Sequence, residues 1–128
     1  ILQVRRLGIS ISADVSGGSS RSFYEKAFFN NVNGTNALLS AVVSETSDSL
    51  GVITFDLEDT KGGSNSTTSR LVAPATGMLG SFDNDNKNIP GTDLGVGETI
   101  GCWIKTTLAA GSSPNKSTWG VKINGATT

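Results

Sequence analysis

Residues 98–109, ETIGCWIKTTLA, and residues 117–124, STWGVKIN, decide the fold class. In both stretches apolar side chains stand at every second position, which is the period of a half-buried β-strand. The intervening residues 110–116, AGSSPNK, are typical of a turn. We therefore expect the two stretches to pair as a hairpin with their apolar rows on the same side. These rows are Ile100, Cys102 and Ile104 in the first stretch and Trp119, Val121 and Ile123 in the second.

The same strand pattern extends towards the start of the chain. Leu7, Ile9, Ile11 and Ala13 alternate with Gly and Ser, which predicts a further strand, and the small polar residues of 14–22 predict a flexible connection. This divides the chain into an N-terminal arm, 1–22, and a compact domain, 23–128. Other strands are predicted at 23–32, 37–46 and 52–58, with a short edge strand within 71–79 that Pro74 interrupts.

About seven strands at roughly ten-residue spacing, with no sustained helical period, favour a sandwich over a barrel. The predicted fold is all-β: an antiparallel two-sheet β-sandwich, immunoglobulin-like or jelly-roll-like, with an N-terminal arm. Residues 61–70 contain no apolar side chain, so we expect an exposed, mobile loop. Residues 81–97 are dense in turn-forming residues, and we expect both loops to carry the contacts of the domain.

Composition excludes much familiar chemistry. The chain has no histidine, so it cannot build Ser-His-Asp or Cys-His catalytic sets or the common zinc sites by itself. A formal net charge of −1 disfavours nucleic acid as a partner, and no apolar run approaches the ~20 residues of a membrane span. Cys102 is the single cysteine, so no intrachain disulfide is possible, and its apolar neighbours predict a buried thiol.

The acidic residues offer two weaker possibilities. Asp56, Glu58 and Asp59 form the densest carboxylate cluster, but Asp56 and Glu58 share what should be the solvated face of a strand. Asp83, Asp85 and nearby asparagines Asn84, Asn86 and Asn88 could supply oxygen ligands to calcium, although Lys87 would place a positive charge beside the ion. Such clusters more often form turns. We therefore expect no enzyme and assign no catalytic, cofactor-binding or metal-binding residue and no cofactor, and calcium at Asp83 and Asp85 stays open.

Several residues bear on recognition. Trp103 and Trp119 could form a sugar-stacking platform or close the core, and core or subunit packing is the favoured interpretation. Asn33, Asn65 and Asn115 each begin an N-glycosylation acceptor pattern, which matters only in a secretory system that glycosylates.

The final strands and the opening strand carry a further pattern. Its residues are Leu94, Gly97, Trp103-Ile104-Lys105, Ala109-Ala110-Gly111, Val121-Lys122-Ile123-Asn124, Lys26-Ala27-Phe28-Phe29-Asn30-Asn31 and Gly34-Thr35. The pattern spans about residues 24 to 124. It resembles that of small structural proteins of tailed bacteriophages, in which a Leu-x-x-Gly turn leads into a strand containing Trp-Ile-Lys/Arg and a small-residue turn precedes the closing strand.

This resemblance implies an immunoglobulin-like sandwich that serves as a head decoration, connector or tail protein. The expected function is that of a structural component of a virus particle, located in the virion or outside the cell. Its partners would be other copies of itself and other virion proteins, with surface glycans as a further partner. The alternative is a carbohydrate-binding or adhesin module, with Trp103, Trp119, Asp83 and Asp85 at its site.

Overall fold

The computed structural model describes residues 20–111 and 118–127, and this part of the chain is all-β with no helix. Its strands form two antiparallel sheets of three strands each, so the two-sheet antiparallel prediction is confirmed. The first sheet has the order β1-β5-β3 and the second has the order β4-β2-β6. The predicted strand at 7–13, most of the arm and most of the 110–116 turn lie outside the described residues. The strands are β1 (Arg21–Asn30), β2 (Leu38–Asp48), β3 (Ile53–Leu57), β4 (Lys87–Asn88), β5 (Thr99–Leu108) and β6 (Trp119–Thr127).

Successive strands alternate strictly between the two sheets, so no two neighbours in sequence pair with each other. The predicted hairpin is therefore wrong: β5 pairs with β1 and β3, and β6 pairs with β2. The period-two alternation fixes which side chains face the core, but it does not fix which strand supplies the hydrogen bonds. The apolar rows of β5 and β6 meet across the core instead of lying side by side.

The core lies between the sheets, and its buried strand residues come from β2, β3 and β5, with side chains of β1 and β6 packed against them. Phe55 and Leu57 of β3 are fully buried, as are Val43 of β2 and Ile100 of β5. Each such side chain contributes about 1.5–3 kcal/mol when buried, so this layer holds the two sheets together. Buried core residues are Ala41, Val43, Ile53, Phe55, Leu57, Ile89, Leu94, Ile100, Cys102 and Ile104, and Ala27, Phe29, Leu38, Val52, Trp119, Val121 and Ile123 pack against them.

The free edge of β3 is closed by residues 78–83. Phe55 and Asp83 exchange two backbone hydrogen bonds of 3.0 and 3.3 Å, and the Leu79 amide donates to the Leu57 carbonyl at 2.9 Å. The edge strand predicted within 71–79 is absent from the described strands, and only an isolated bridge between Glu58 and Met78 forms there. β4 was not predicted, because a strand of two residues is too short to show any alternation.

Residues 59–83, called here the covering loop, fold over the face of the first sheet that points away from the core. Phe82 packs edge-on against Tyr24 of β1 with ring centroids 5.6 Å apart. Near its start the loop approaches so closely that a Cβ added to Gly63 would stand 2.3 Å from Glu58 Oε2. The first sheet is therefore enclosed on both faces over much of its area.

Candidate functional site

The covering loop buries charged side chains that the sequence analysis placed in solvent. Asp56 and Glu58 do point away from the core, as the alternation through residues 52–58 predicted, but both are fully buried. The expectation of a solvated strand face is therefore wrong. Burying a carboxylate is costly unless it is paired and hydrogen-bonded, so the partners of these two residues define the candidate site.

Lys26 of β1 is the partner of Glu58. Its ammonium donates to Glu58 Oε1 and to the backbone carbonyl of Asn65, the latter at 2.9 Å. The backbone N–H of Asn65 in turn donates to Glu58 Oε1 at 3.0 Å. We call Lys26, Glu58 and Asn65 the amine cluster, and it joins the centre of β1 to the covering loop.

Glycine at position 101 allows the amine cluster to form. Gly101 lies in β5 directly beneath the pair, and a Cβ built there would stand 2.7 Å from Lys26 Cε and 2.8 Å from Glu58 Oε2. Any side chain at this position would occupy the space in which the amine and the carboxylate meet.

The surroundings of the amine cluster are apolar and poorly supplied with hydrogen-bond partners. The Lys26 nitrogen lies 5.4 Å from the centroid of the buried Trp103 ring and 4.8 Å from that of Phe28. The side chain of Lys26 is only 13% exposed. Within the described residues, Glu58 Oε2 and Trp103 Nε1 are buried without a hydrogen-bond partner. The ion pair thus sits in a low-dielectric layer with one carboxylate oxygen unused.

A second charged group lies at the edge of β3. Lys87 of β4 donates to Asp83 Oδ1 at 2.7 Å and to the Ser81 carbonyl at 3.1 Å, and its nitrogen is 3.8 Å from Asp56 Oδ1. Burial raises the pKa of Asp56, opposed by the backbone N–H of Gly80 and by the charge of Lys87. The hydrogen bond from Lys87 lowers the pKa of Asp83, which is far more exposed.

This arrangement bears on calcium binding at Asp83 and Asp85. The Lys87 ammonium already occupies the Asp83 carboxylate, and the Asn84 amide is turned away to donate to the Ile53 carbonyl at 2.8 Å. The oxygen ligands therefore do not converge. Across residues 20–111 and 118–127, no three His, Cys, Asp or Glu side chains are grouped so as to hold a metal ion.

The two tryptophans lie apart and do not form a common platform. Trp103 is buried under the covering loop, on the face of the first sheet that points away from the core. Trp119 belongs to the second sheet, where its ring packs against Phe55 at 5.8 Å and its Nε1 donates to Glu45 at 3.0 Å. Cys102 is buried in the core as predicted, and burial raises its pKa to about 12.

The polar stretch at 61–70 alternates between half-buried and exposed residues, and hydrogen bonds tie it to other parts of the chain at several points. Lys61 donates to Glu98 at 2.7 Å and to the Asp93 carbonyl at 2.8 Å, while Arg70 donates to Glu25 at 3.1 Å. These contacts use charged side chains and backbone groups, so a stretch without apolar residues can still be held against the rest of the domain.

The three glycosylation acceptor patterns differ in environment. Asn33 is exposed, and its side-chain oxygen accepts from the Thr35 and Asn36 backbone N–H groups. Asn65 is half-buried, with its amide donating to the Gly77 carbonyl at 3.2 Å. Asn115 lies outside the described residues.

An open cleft of about 300 Å³ marks one end of the sandwich. The backbone N–H of Asn31 donates to the Glu98 carbonyl at 3.0 Å, and the backbone N–H of Gly97 donates to the backbone carbonyl of Asn31 at 2.9 Å. The chain around residue 31 therefore lies against the turn at 96–98. Val32 is 85% exposed and Val96 49% exposed beside this link. We call the cleft and these two valines the apolar end. The lining residues of the cleft are Phe29, Asn30, Asn31, Val32, Asn33, Asn36, Ala37, Leu38, Leu94, Ile123 and Thr127.

Comparisons with protein-family models, curated proteins and solved structures find no match to this chain. The site is therefore interpreted from its own geometry. Nothing in the described part of the chain forms a helix long and apolar enough to cross a membrane.

Proposed function

We propose that this domain is a non-enzymatic structural component of a virus particle that acts through protein–protein contacts. The observation that carries the proposal is the apolar end, where Val32 and Val96 are exposed beside a largely apolar cleft. Exposed apolar residues grouped around a concavity are typical of contact surfaces between proteins.

The resemblance to tailed-phage structural proteins also supports an assembly role. The strand-and-turn pattern shared with tailed-phage structural proteins includes Leu94 and Gly97, and these residues bracket the exposed Val96. Leu94 is buried at the base of the cleft, and Gly97 has a φ of 74°, a backbone conformation that glycine adopts without strain. Leu94 and Gly97, which belong to the resemblance, thus help to form the apolar end.

The partner we assign to this surface is a second copy of the chain, with other particle proteins as later neighbours. The formal net charge of −1 leaves little long-range repulsion between copies. The pair Glu98 and Lys61 at the rim of the same end is an ion pair that also suits the polar rim of such an interface.

The test is the oligomeric state of the full chain by light scattering over a range of concentrations, with electron microscopy of the native sample. Val32→Asp combined with Val96→Asp should abolish self-association by placing charges in an apolar contact. Leu50→Asp is the matched control, because Leu50 is 46% exposed in the β2–β3 turn at the opposite end. A wild-type chain that stays monomeric at every concentration and occurs in no particle would contradict the proposal.

The carbohydrate-binding alternative has lost its supporting observation. Trp103 is buried, the Trp119 ring packs against Phe55, and Oδ1 of Asp83 accepts a hydrogen bond from Lys87. We therefore do not carry this alternative forward as a second function.

A further inference from the structure

We propose that the amine of Lys26 and the side-chain carboxamide of Asn65 condense into an internal amide cross-link, with Glu58 transferring the protons. The cross-link would join β1 covalently to the covering loop. It is a modification of the chain by itself, and it is independent of the assembly role proposed above.

The amine cluster already brings the three residues together. Glu58 Oε1 accepts from both the Lys26 amine and the Asn65 backbone N–H, so a single carboxylate bridges the two residues to be joined. The Lys26 nitrogen also lies 2.9 Å from the backbone oxygen of Asn65. The amine is therefore held beside the residue that carries the carboxamide, which lowers the entropic cost of bringing the two groups together.

The side-chain carboxamide of Asn65 makes one hydrogen bond, to the backbone of the covering loop. Its nitrogen donates to the Gly77 carbonyl at 3.2 Å, with the carboxamide packed where a side chain at 77 would be. Rotation about the Cα–Cβ bond of Asn65 releases that contact and turns the carboxamide carbon towards the amine. The cost is the loss of one long neutral hydrogen bond.

The amine and the carboxylate of the cluster are shielded from solvent. Glu58 is fully buried and Lys26 nearly so, beneath the rings of Trp103 and Phe28. In the reaction the Glu58 carboxylate, which accepts from the Lys26 nitrogen, first takes one proton from it. The resulting amine carries a lone pair and acts as the nucleophile.

The unused oxygen of Glu58 completes the chemistry. Glu58 Oε2 is buried without a partner among the described residues, so it is available to donate a proton to the carboxamide. The Lys26 nitrogen attacks the Asn65 side-chain carbon, the new C–N bond forms, and the bond from that carbon to the amide nitrogen breaks. Glu58 takes the proton from the attacking nitrogen and delivers it to the leaving nitrogen. One ammonia leaves, Glu58 is regenerated, and no cofactor or oxidant is consumed.

Intact-mass measurement of the denatured full-length chain tests the proposal without depending on any variant. We expect the wild-type mass to fall below that of the sequence by one ammonia. After proteolysis, tandem mass spectrometry should find the peptides carrying Lys26 and Asn65 joined, with no tryptic cleavage after Lys26. A mass equal to that of the sequence overturns the proposal, and so does an ammonia loss in which these peptides are not joined.

Variants assign the roles. Glu58→Gln should restore the full mass while circular dichroism still reports a folded β protein, because the proton carrier is gone. Lys26→Arg should restore it as well. Lys61→Arg is the matched control, because Lys61 likewise binds a glutamate and a backbone carbonyl but is more exposed than Lys26, and it should keep the loss of ammonia. A Glu58→Gln chain that is fully cross-linked would refute the role of Glu58.

Discussion

Replacing Lys87 by Met should destabilise the domain strongly at neutral pH. Lys87 is buried, and its ammonium is the nearest positive charge to the fully buried carboxylate of Asp56, at 3.8 Å. Methionine keeps the length of the side chain, so packing is largely preserved and the lost quantity is the charge. The hydrogen bonds to Asp83 and to the Ser81 carbonyl are lost at the same time.

The separation of the charges sets the magnitude. Unit charges about 4 Å apart interact by about 4 kcal/mol at the effective dielectric constant near a protein surface. Removing one member of a buried pair typically costs about 3–5 kcal/mol, because the remaining charge is left uncompensated. We therefore expect the free energy of unfolding to fall by about 3 kcal/mol at neutral pH.

The cost should shrink in acid. Burial raises the pKa of Asp56 in the folded state, so its neutral form is favoured there relative to the unfolded chain. The stability associated with this group is fully present below its ordinary pKa of 3.8 and is lost as the pH rises through the raised folded value. Without Lys87 that folded value rises further, so Lys87→Met should approach the wild type as the pH is lowered towards 3.8.

Urea unfolding followed by tryptophan fluorescence, at neutral pH and at about pH 5, measures these differences. The double variant Lys87→Met with Asp56→Asn should recover more than half of the lost stability, because the fully buried carboxylate at position 56 is no longer present. A decrease in the free energy of unfolding of less than about 1 kcal/mol for Lys87→Met at neutral pH would contradict this expectation, and so would a decrease that does not depend on pH.

Three further outcomes follow from the packing. Gly101→Ala should cost about 1–3 kcal/mol in urea unfolding, because the new methyl group would overlap Lys26 and Glu58. Leu57→Ala should cost about 2–5 kcal/mol by the same measurement, since Leu57 is fully buried between the sheets. Cys102 should resist alkylation by iodoacetamide at mildly alkaline pH until urea unfolds the chain, because its pKa is about 12 in the folded state; mass spectrometry of the adduct checks this.

The strands were predictable because their side chains alternate. The stretch 52–58 contains β3, and its apolar residues Ile53, Phe55 and Leu57 face the core as expected. Pairing was not predictable in the same way, because β5 and β6 have apolar rows that suit either a hairpin or opposite sheets. Long-range pairing of β5 with β1 and of β6 with β2 decides between these two arrangements, and such pairing cannot be read from a local pattern.

The burial of Asp56 and Glu58 escaped prediction for a different reason. Their partners in the covering loop are mainly backbone groups: the Gly80 N–H donates to Asp56 and the Asn65 N–H donates to Glu58. Backbone groups are the same at every residue, so no side-chain pattern in the sequence announces these contacts. A stretch that is polar throughout looks solvated, although its peptide groups can satisfy buried charges. The one sequence signal was Lys26, a lone cation inside the aromatic strand FYEKAFF.

The strict alternation of strands between sheets has a kinetic consequence. Arg21 at the start of β1 pairs with Leu108, and Leu38 at the start of β2 pairs with Thr127, so the long ladders join distant parts of the chain. No local hairpin among the described strands can act as an early nucleus, and loop closure must precede most of the favourable contacts. A nascent chain that ends before β5 would expose β1 and β3 without a partner strand, so folding should be slow and should begin only when β5 has been synthesised.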